Sequence, residues 1–196
     1  IGNILEGKLT LAGLDFRAKS PRDAIAAGIY LVPEDRKRTG LVLESSICEN
    51  ISLADLGAVS RRGFVSQKAQ TRRAFEQRDK LAIKAKDVMR NAAELSGGNQ
   101  QKVVLGKCLS MNPKLIIFDE PTRGIDVGAK SEIYKLMRRL ADAGVGVVMI
   151  SSDMEEVIGV SDRIVVLREG RIAGELPRSG FSEHNVLKLA VGAMGD

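Results

Sequence analysis

The chain of 196 residues contains no tryptophan, one histidine and two cysteines, and aromatic residues make up only 4% of it. So few flat rings exclude a base-stacking surface for single-stranded nucleic acid, which needs one aromatic face after another. Cys48 and Cys108 stand far apart, with no Cys-x-x-Cys pair and no histidine companion. That spacing excludes a disulfide framework and a zinc site and suits a reducing compartment. His184 alone builds neither a metal cluster nor a Ser-His-Asp site and reads as a surface residue. No apolar run approaches the roughly 18–20 residues that cross a bilayer, and the opening residues do not read as a signal peptide. Any membrane role therefore runs through a partner.

What is present suits about one domain: 44% hydrophobic residues can fill a core and 28% charged residues keep it soluble. The net charge of +5 gathers in Arg36-Lys37-Arg38, Arg61-Arg62, Arg72-Arg73 and Arg138-Arg139. These clusters belong to separate segments that also carry acids, and they read as solvated faces.

Along the chain, residues 8–11 and 14–17 read as small antiparallel strands about Ala12-Gly13. Ser20-Pro21 caps a short helix over 21–27, and residues 29–32 form a buried strand stopped by Pro33. Residues 48–93 lack strand-like runs and read as an exposed helical subdomain with a weak stripe through Phe75 and Ala82. Ser96 begins a helix that Asn112-Pro113 stops. The apolar run at 115–118 suits a parallel strand covered on both faces. Asp126 caps a helix with the stripe Ala129, Ile133, Leu136, Met137, Leu140, ended by Gly144. Residues 147–150 read as another buried strand, and 163–168 with 171–175 as a hairpin about Glu169-Gly170. Strands alternating with helices predict an α/β fold with a largely parallel sheet.

Chemistry concentrates in three places. Ser96-Gly97-Gly98 opens a helix, where glycines let phosphate oxygens reach backbone N–H groups, the helix terminus adds positive potential and Ser96 offers a hydroxyl. The same pattern also reads as a glycine turn with a serine cap. Asp119 and Glu120 end an apolar strand at the carboxyl edge of the sheet, where ligands of α/β proteins bind. There Asp119 can hold Mg²⁺, directly or through water, while Glu120 orients or deprotonates an attacking water. The plainer alternative is a helix-capping pair. The run from Pro121 through Asp126 to Gly128 is a loop whose meaning depends on the other two.

In this order the segments resemble the ABC transporter ATPases: residues 95–102 look like the signature sequence, 115–120 the Walker B strand, 124–128 the D-loop, and Ser151-Ser152-Asp153 the switch region. The wording at 20–25, 32–37, 49–52, 95–102 and 119–126 resembles, more narrowly, the second ATPase cassette of bacterial sugar importers of the ribose, galactose, arabinose and autoinducer-2 type. The resemblance implies an α/β P-loop NTPase core with a mostly parallel sheet, a helical subdomain and small antiparallel strands. It divides the chain into a core remnant over 1–46, a helical subdomain with the signature over 47–112, and the remaining core over 113–196.

The resemblance further implies ATP and Mg²⁺ as cofactors, with Glu120, Ser152 and Glu34 in catalysis. Ser96, Gly97, Gly98, Gln100 and Asp126 would contact nucleotide, and Asp119 and Glu34 the metal. Its partners would be a second cassette, transmembrane permease subunits and, indirectly, a periplasmic sugar-binding protein, at the cytoplasmic face of the inner membrane. Cassettes of this kind pair head to tail, so the signature would complete the partner's ATP site. Repair or translation relatives would need a coiled-coil insertion or a long basic linker, and neither occurs here.

Three departures stand out. No GxxxxGK[ST] phosphate loop occurs in the sequence, and the resemblance places one ahead of the opening strands, so the chain is expected to be N-terminally incomplete and to bind little ATP by itself. The run from Gly13 to Lys19-Ser20 imitates such a loop, but Ala18 replaces its second glycine. Glu34 stands where the superfamily commonly has Gln, and Ser152 where it has a histidine. These departures leave two readings: a transport ATPase, or a non-hydrolytic half that completes the partner's site.

Overall fold

Polar caps set the element boundaries in a computed structural model that describes residue 7 and residues 9–192. Strands β1 (Thr10–Leu11) and β2 (Leu14–Asp15) pair antiparallel across a turn in which Ala12 and Gly13 take positive φ. Both are shorter than expected, and Lys8 lies outside the described residues. In α1 (Pro21–Ala26) the Ser20 hydroxyl accepts the Asp23 N–H at 3.3 Å. Ser20 is therefore a helix cap, as its position beside Pro21 predicts. Strand β3 (Ile29–Val32) follows, then a wide helical turn at Arg36–Gly40 and α2 (Ile47–Ser52), which opens on a capping box between Ser46 and Glu49.

The next segment corrects the sequence reading. Strands β4 (Ser60–Arg61) and β5 (Phe64–Val65) form a hairpin inside the supposedly all-helical region. Two-residue strands are too short to show an alternating pattern. Helix α3 (Gln67–Leu81) buries Ala74, Gln77 and Leu81 rather than a Phe75–Ala82 stripe, and Ala82 ends it in the left-handed region at φ +49°. Helix α4 (Gly97–Leu109) leads into β6 (Leu115–Asp119). Then come α5 (Val127–Asp142), β7 (Gly146–Ile150) and α6 (Met154–Val160). The hairpin of β8 (Arg163–Arg168) with β9 (Arg171–Pro177) and α7 (Glu183–Val191), where His184 is exposed, complete the order.

Parallel strands β3, β6 and β7 lie in that order, β6 in the centre, with Val32 beside Phe118 and Asp119 beside Ile150. Tyr30, Val32, Ile116 and Phe118 share the buried face. They pack in one core with Ile47 and Ile51 of α2, Val103, Val104 and Leu105 of α4, and Ile133, Leu136 and Met137 of α5. The opposite face departs from the expected double coverage. Leu31 of β3 and Val148 and Ile150 of β7 are 54%, 45% and 51% exposed, whereas Leu115 and Ile117 of β6 are half-buried, so the two outer strands are less covered than the central one among the described residues. A smaller core joins Ile164 and Val166 of β8 to Val186 of α7. Cys48 and Cys108 are free and buried, and burial pushes the Cys108 thiol up to about 11.

Candidate functional site

The register of the parallel sheet brings three chain segments to one edge. Glu34 lies just past β3, Asp119 and Glu120 end β6, and Ser151 and Ser152 follow β7. Glu120 sits at φ +46°. That conformation costs a non-glycine residue on the order of 1–3 kcal/mol. It is held by the Glu120 N–H donating to the Ile150 carbonyl at 2.9 Å and by its Oε1 accepting the Ser152 N–H at 2.7 Å. The resemblance placed Ser152 in catalysis, at the position of the superfamily's histidine. The structure supplies its main-chain N–H instead, a contact open to any residue but proline. Glu34 is exposed and ion-paired with Arg123 in the loop after β6.

Behind that edge, Arg36 ties two segments together. Its Nη1 donates to the Arg123 carbonyl at 2.8 Å and its Nη2 to the Gly124 carbonyl at 3.0 Å. Burial pulls this guanidinium below the ordinary arginine range, with neighbouring Asp35 opposing, and its Nε has no partner among the described residues. Gly97 abuts this clamp: a Cβ there would lie 2.6 Å from Arg36 Nη2 and 3.1 Å from the Gly124 carbonyl. A Cβ on Gly98 would lie 2.7 Å from the Ala129 Cβ of α5. Gly98 is therefore demanded by packing within the chain, and Gly97 is crowded by the guanidinium and the carbonyl, before any ligand is considered. Sequence reading treated Arg36 as part of a solvated cluster and missed this role.

The first turn of α4 and the loop before α5 line one cleft of about 250 Å³, with Ser96, Gly98 and Asn99 on one wall and Asp126 and Gly128 on the other. Ser96 makes no capping bond of its own; its hydroxyl accepts from Asn99 Nδ2 at 2.9 Å. Asp126 caps α5, accepting the Ala129 N–H at 2.9 Å, and stays exposed. Lys102, buried at the cleft floor, donates to the Ala82 carbonyl at 3.0 Å and to Glu132 Oε2 at 2.7 Å. The Lys102 ammonium holds the Glu132 carboxyl below its usual range. Gln100 corrects the sequence reading: it is buried, its Nε2 donates to the Ala92 carbonyl at 3.2 Å, and it does not line the cleft. It stands one helical turn past Ser96, yet its side chain is drawn inward by the Ala92 carbonyl.

A second group was not foreseen. Glu156, buried on α6, accepts from the Thr122 hydroxyl at 3.1 Å and from Ser151. Tyr134 adjoins them, and burial raises its phenol while Thr122 opposes. This network pins the loop after β6 to the segment after β7. Its one signal in the sequence is the capping spacing of Asp153 and Glu156, and Asp153 does cap α6.

Among the described residues no group of three or more His, Cys, Asp or Glu is placed to hold a metal ion. Asp119 is half-buried at the strand end, whereas Glu34 is exposed and engaged by Arg123. These residues alone do not complete a metal site. Lys19 and Ser20 form no phosphate loop either, since the Lys19 N–H donates to Asp23 and Ser20 caps α1.

Known proteins resemble this chain in sequence and in fold. A family model described as ABC transporter matches residues 3–123. The chain is 51% identical over 187 residues to the xylose import ATP-binding protein XylG of Moorella thermoacetica, covering 95% of this chain and 37% of that protein. It is 47% identical over 192 residues to the ribose import ATP-binding protein RbsA 2 of Burkholderia pseudomallei, covering 96% and 37%. It thus spans little more than a third of these relatives. Among solved structures, the ATP-binding cassette MJ1267 superposes with a TM-score of 0.76 at 23% identity, covering 94% of this chain and 77% of that one. The cassette MJ0796, bound to ADP and Pi, does so at 0.69 and 23%, covering 90% and 75%.

Proposed function

Because this chain belongs to the ABC transporter family, we propose that it is part of an ATP-hydrolysing subunit that energises import of a monosaccharide or related sugar. It corresponds to the second cassette of such a subunit, with core portions over 1–46 and 113–196 and a helical portion over 47–112. The observation that carries the reading is the carboxylate of Glu120, aimed by its left-handed backbone and held by the Ser152 N–H at 2.7 Å, at the edge where three parallel strands end. A carboxylate so fixed can orient a water for attack on a terminal phosphate and accept its proton.

In this reading Asp119 would hold Mg²⁺ through water, and the ion would supply positive charge to offset that of the phosphates. Glu34 reaches the metal or the water only after exchanging its pair with Arg123. Ser96, Gly98 and Asp126, which line the cleft, face the nucleotide of a second cassette, with Gly97 between them against Arg36 and Gln100 supporting them from inside. Partners are that cassette and the permease subunits, with a periplasmic sugar-binding protein acting through them, and the site of action is the cytoplasmic face of the inner membrane. The names of the import relatives support the sugar class.

A second reading is favoured by Ser152, which offers no imidazole, and by the Glu34–Arg123 pair. Here the chain binds without hydrolysing and completes the partner's site. The Glu120→Gln variant of the longer polypeptide separates the two. Loss of transport-coupled ATPase activity by ~10²–10⁴-fold supports hydrolysis here. Unchanged turnover places the chemistry in the other cassette.

A further inference from the structure

The helical portion carries a surface that the nucleotide reading leaves unused. Residues 56–75 hold five cations, Arg61, Arg62, Lys68, Arg72 and Arg73, and no Asp or Glu. Arg73 is met by Asp55 at 3.3 Å and Arg72 by Glu76 at 3.8 Å. Among the described residues no ion pair engages Arg61, Arg62 or Lys68. All three are exposed.

The β4–β5 hairpin places this charge on a protruding tip. Arg62 and Gly63 turn the chain at φ +53° and +83°, and a Cβ added at Gly63 would meet nothing within 4 Å. Beside the arginines, Phe64 is 79% exposed and Val65 47%, and Leu56 lies open nearby. A large ring held clear of the fold next to unneutralised cations stabilises nothing within the chain. It marks a contact surface.

We propose that this tip rests on an anionic lipid surface, with Arg61, Arg62 and Lys68 on headgroup phosphates and Phe64 in the interfacial layer. Charge complementarity requires a negative partner. An acidic polypeptide would satisfy the arginines alone and leave the Phe64 ring, 79% exposed, in water. A bilayer interface takes cations and an apolar ring at the same depth. The proposal goes beyond the nucleotide reading, needs no bound ATP, and departs from the sequence expectation that any membrane role runs through a partner.

The absence of tryptophan supplies the test, since Phe64→Trp puts a single indole at the tip. The 196-residue chain carrying it is mixed with phosphatidylcholine vesicles, with and without phosphatidylglycerol. Expected are a blue-shifted emission and co-sedimentation only with phosphatidylglycerol, both weakened by salt. Arg61→Glu with Arg62→Glu should lower partitioning by about tenfold or more. Lys135→Glu with Arg139→Glu, an equal charge change on exposed positions of α5, should leave the emission shift in place. Thermal midpoints matched among the variants confirm that each is folded. Unmoved emission, or equal loss in the α5 control, overturns the proposal. So does binding to polyglutamate that depends on Arg61 and Arg62 while vesicles leave the indole in water, which would assign the tip to an acidic protein.

Discussion

Gly97 and Arg36 contend for one volume, since a Cβ on the glycine would reach within 2.6 Å of the guanidinium that clamps the Gly124 carbonyl. The opening of α4 and the loop before α5 are thereby fixed against each other through a residue that follows β3. Gly97→Ala should destabilise the chain by about 1–3 kcal/mol, because a methyl group must displace the guanidinium or the loop. Combining it with Arg36→Ala should cost less than the sum of the two single changes, read by urea denaturation. Strict additivity would show that the two residues do not share this space.

The Lys102–Glu132 pair gives an acid-side signature. Glu132 is held below its ordinary value of 4.5 by Lys102. Its contribution to stability is therefore complete above that pH and is lost progressively below it, as pH falls through the lower value that the carboxyl has in the folded chain. Lys102→Met should flatten the stability profile in this range, as followed by thermal melts from neutral pH downward. An unchanged acid limb would mean that the pair contributes nothing in solution.

Leu31, Val148 and Ile150 leave an apolar sheet face open among the described residues. The isolated chain should self-associate through it. Light scattering after size exclusion should report species larger than one chain, and Leu31→Lys with Val148→Lys should return them to monomer. A monomeric wild-type chain at high concentration would refute this.

With no GxxxxGK[ST] loop in its sequence, the 196-residue chain should show no micromolar ATP affinity by calorimetry. Ser20, the one serine that mimics such a loop, is committed to capping α1. A clear micromolar isotherm would contradict the reading of residues 13–20.

The elements that sequence reading located share a local cause. Ser20 with Pro21 and Asp126 with Ala129 are caps whose donors and acceptors lie within three residues. The strand at 115–119 declares itself by the unbroken apolar run of 115–118, and hairpin β8–β9 by the turn at Glu169-Gly170. The small hairpin at 60–65 escaped because its strands are too short for any period and its arginines look like a solvated helix face.

Composition, spacing and caps determined the α/β order, the position of Asp119 and Glu120 at a strand end, and the lack of a phosphate loop. Only tertiary structure decided what those groups touch. Arg36 meets Arg123 across 87 positions, Glu120 meets Ser152 across 32, and Lys102 meets Glu132 across 30. Gln100 turned inward although it belongs to the same motif as Ser96. A hydrogen bond is decided within about 3.5 Å in space, and chain distance carries no record of it until the sheet and its helices have packed.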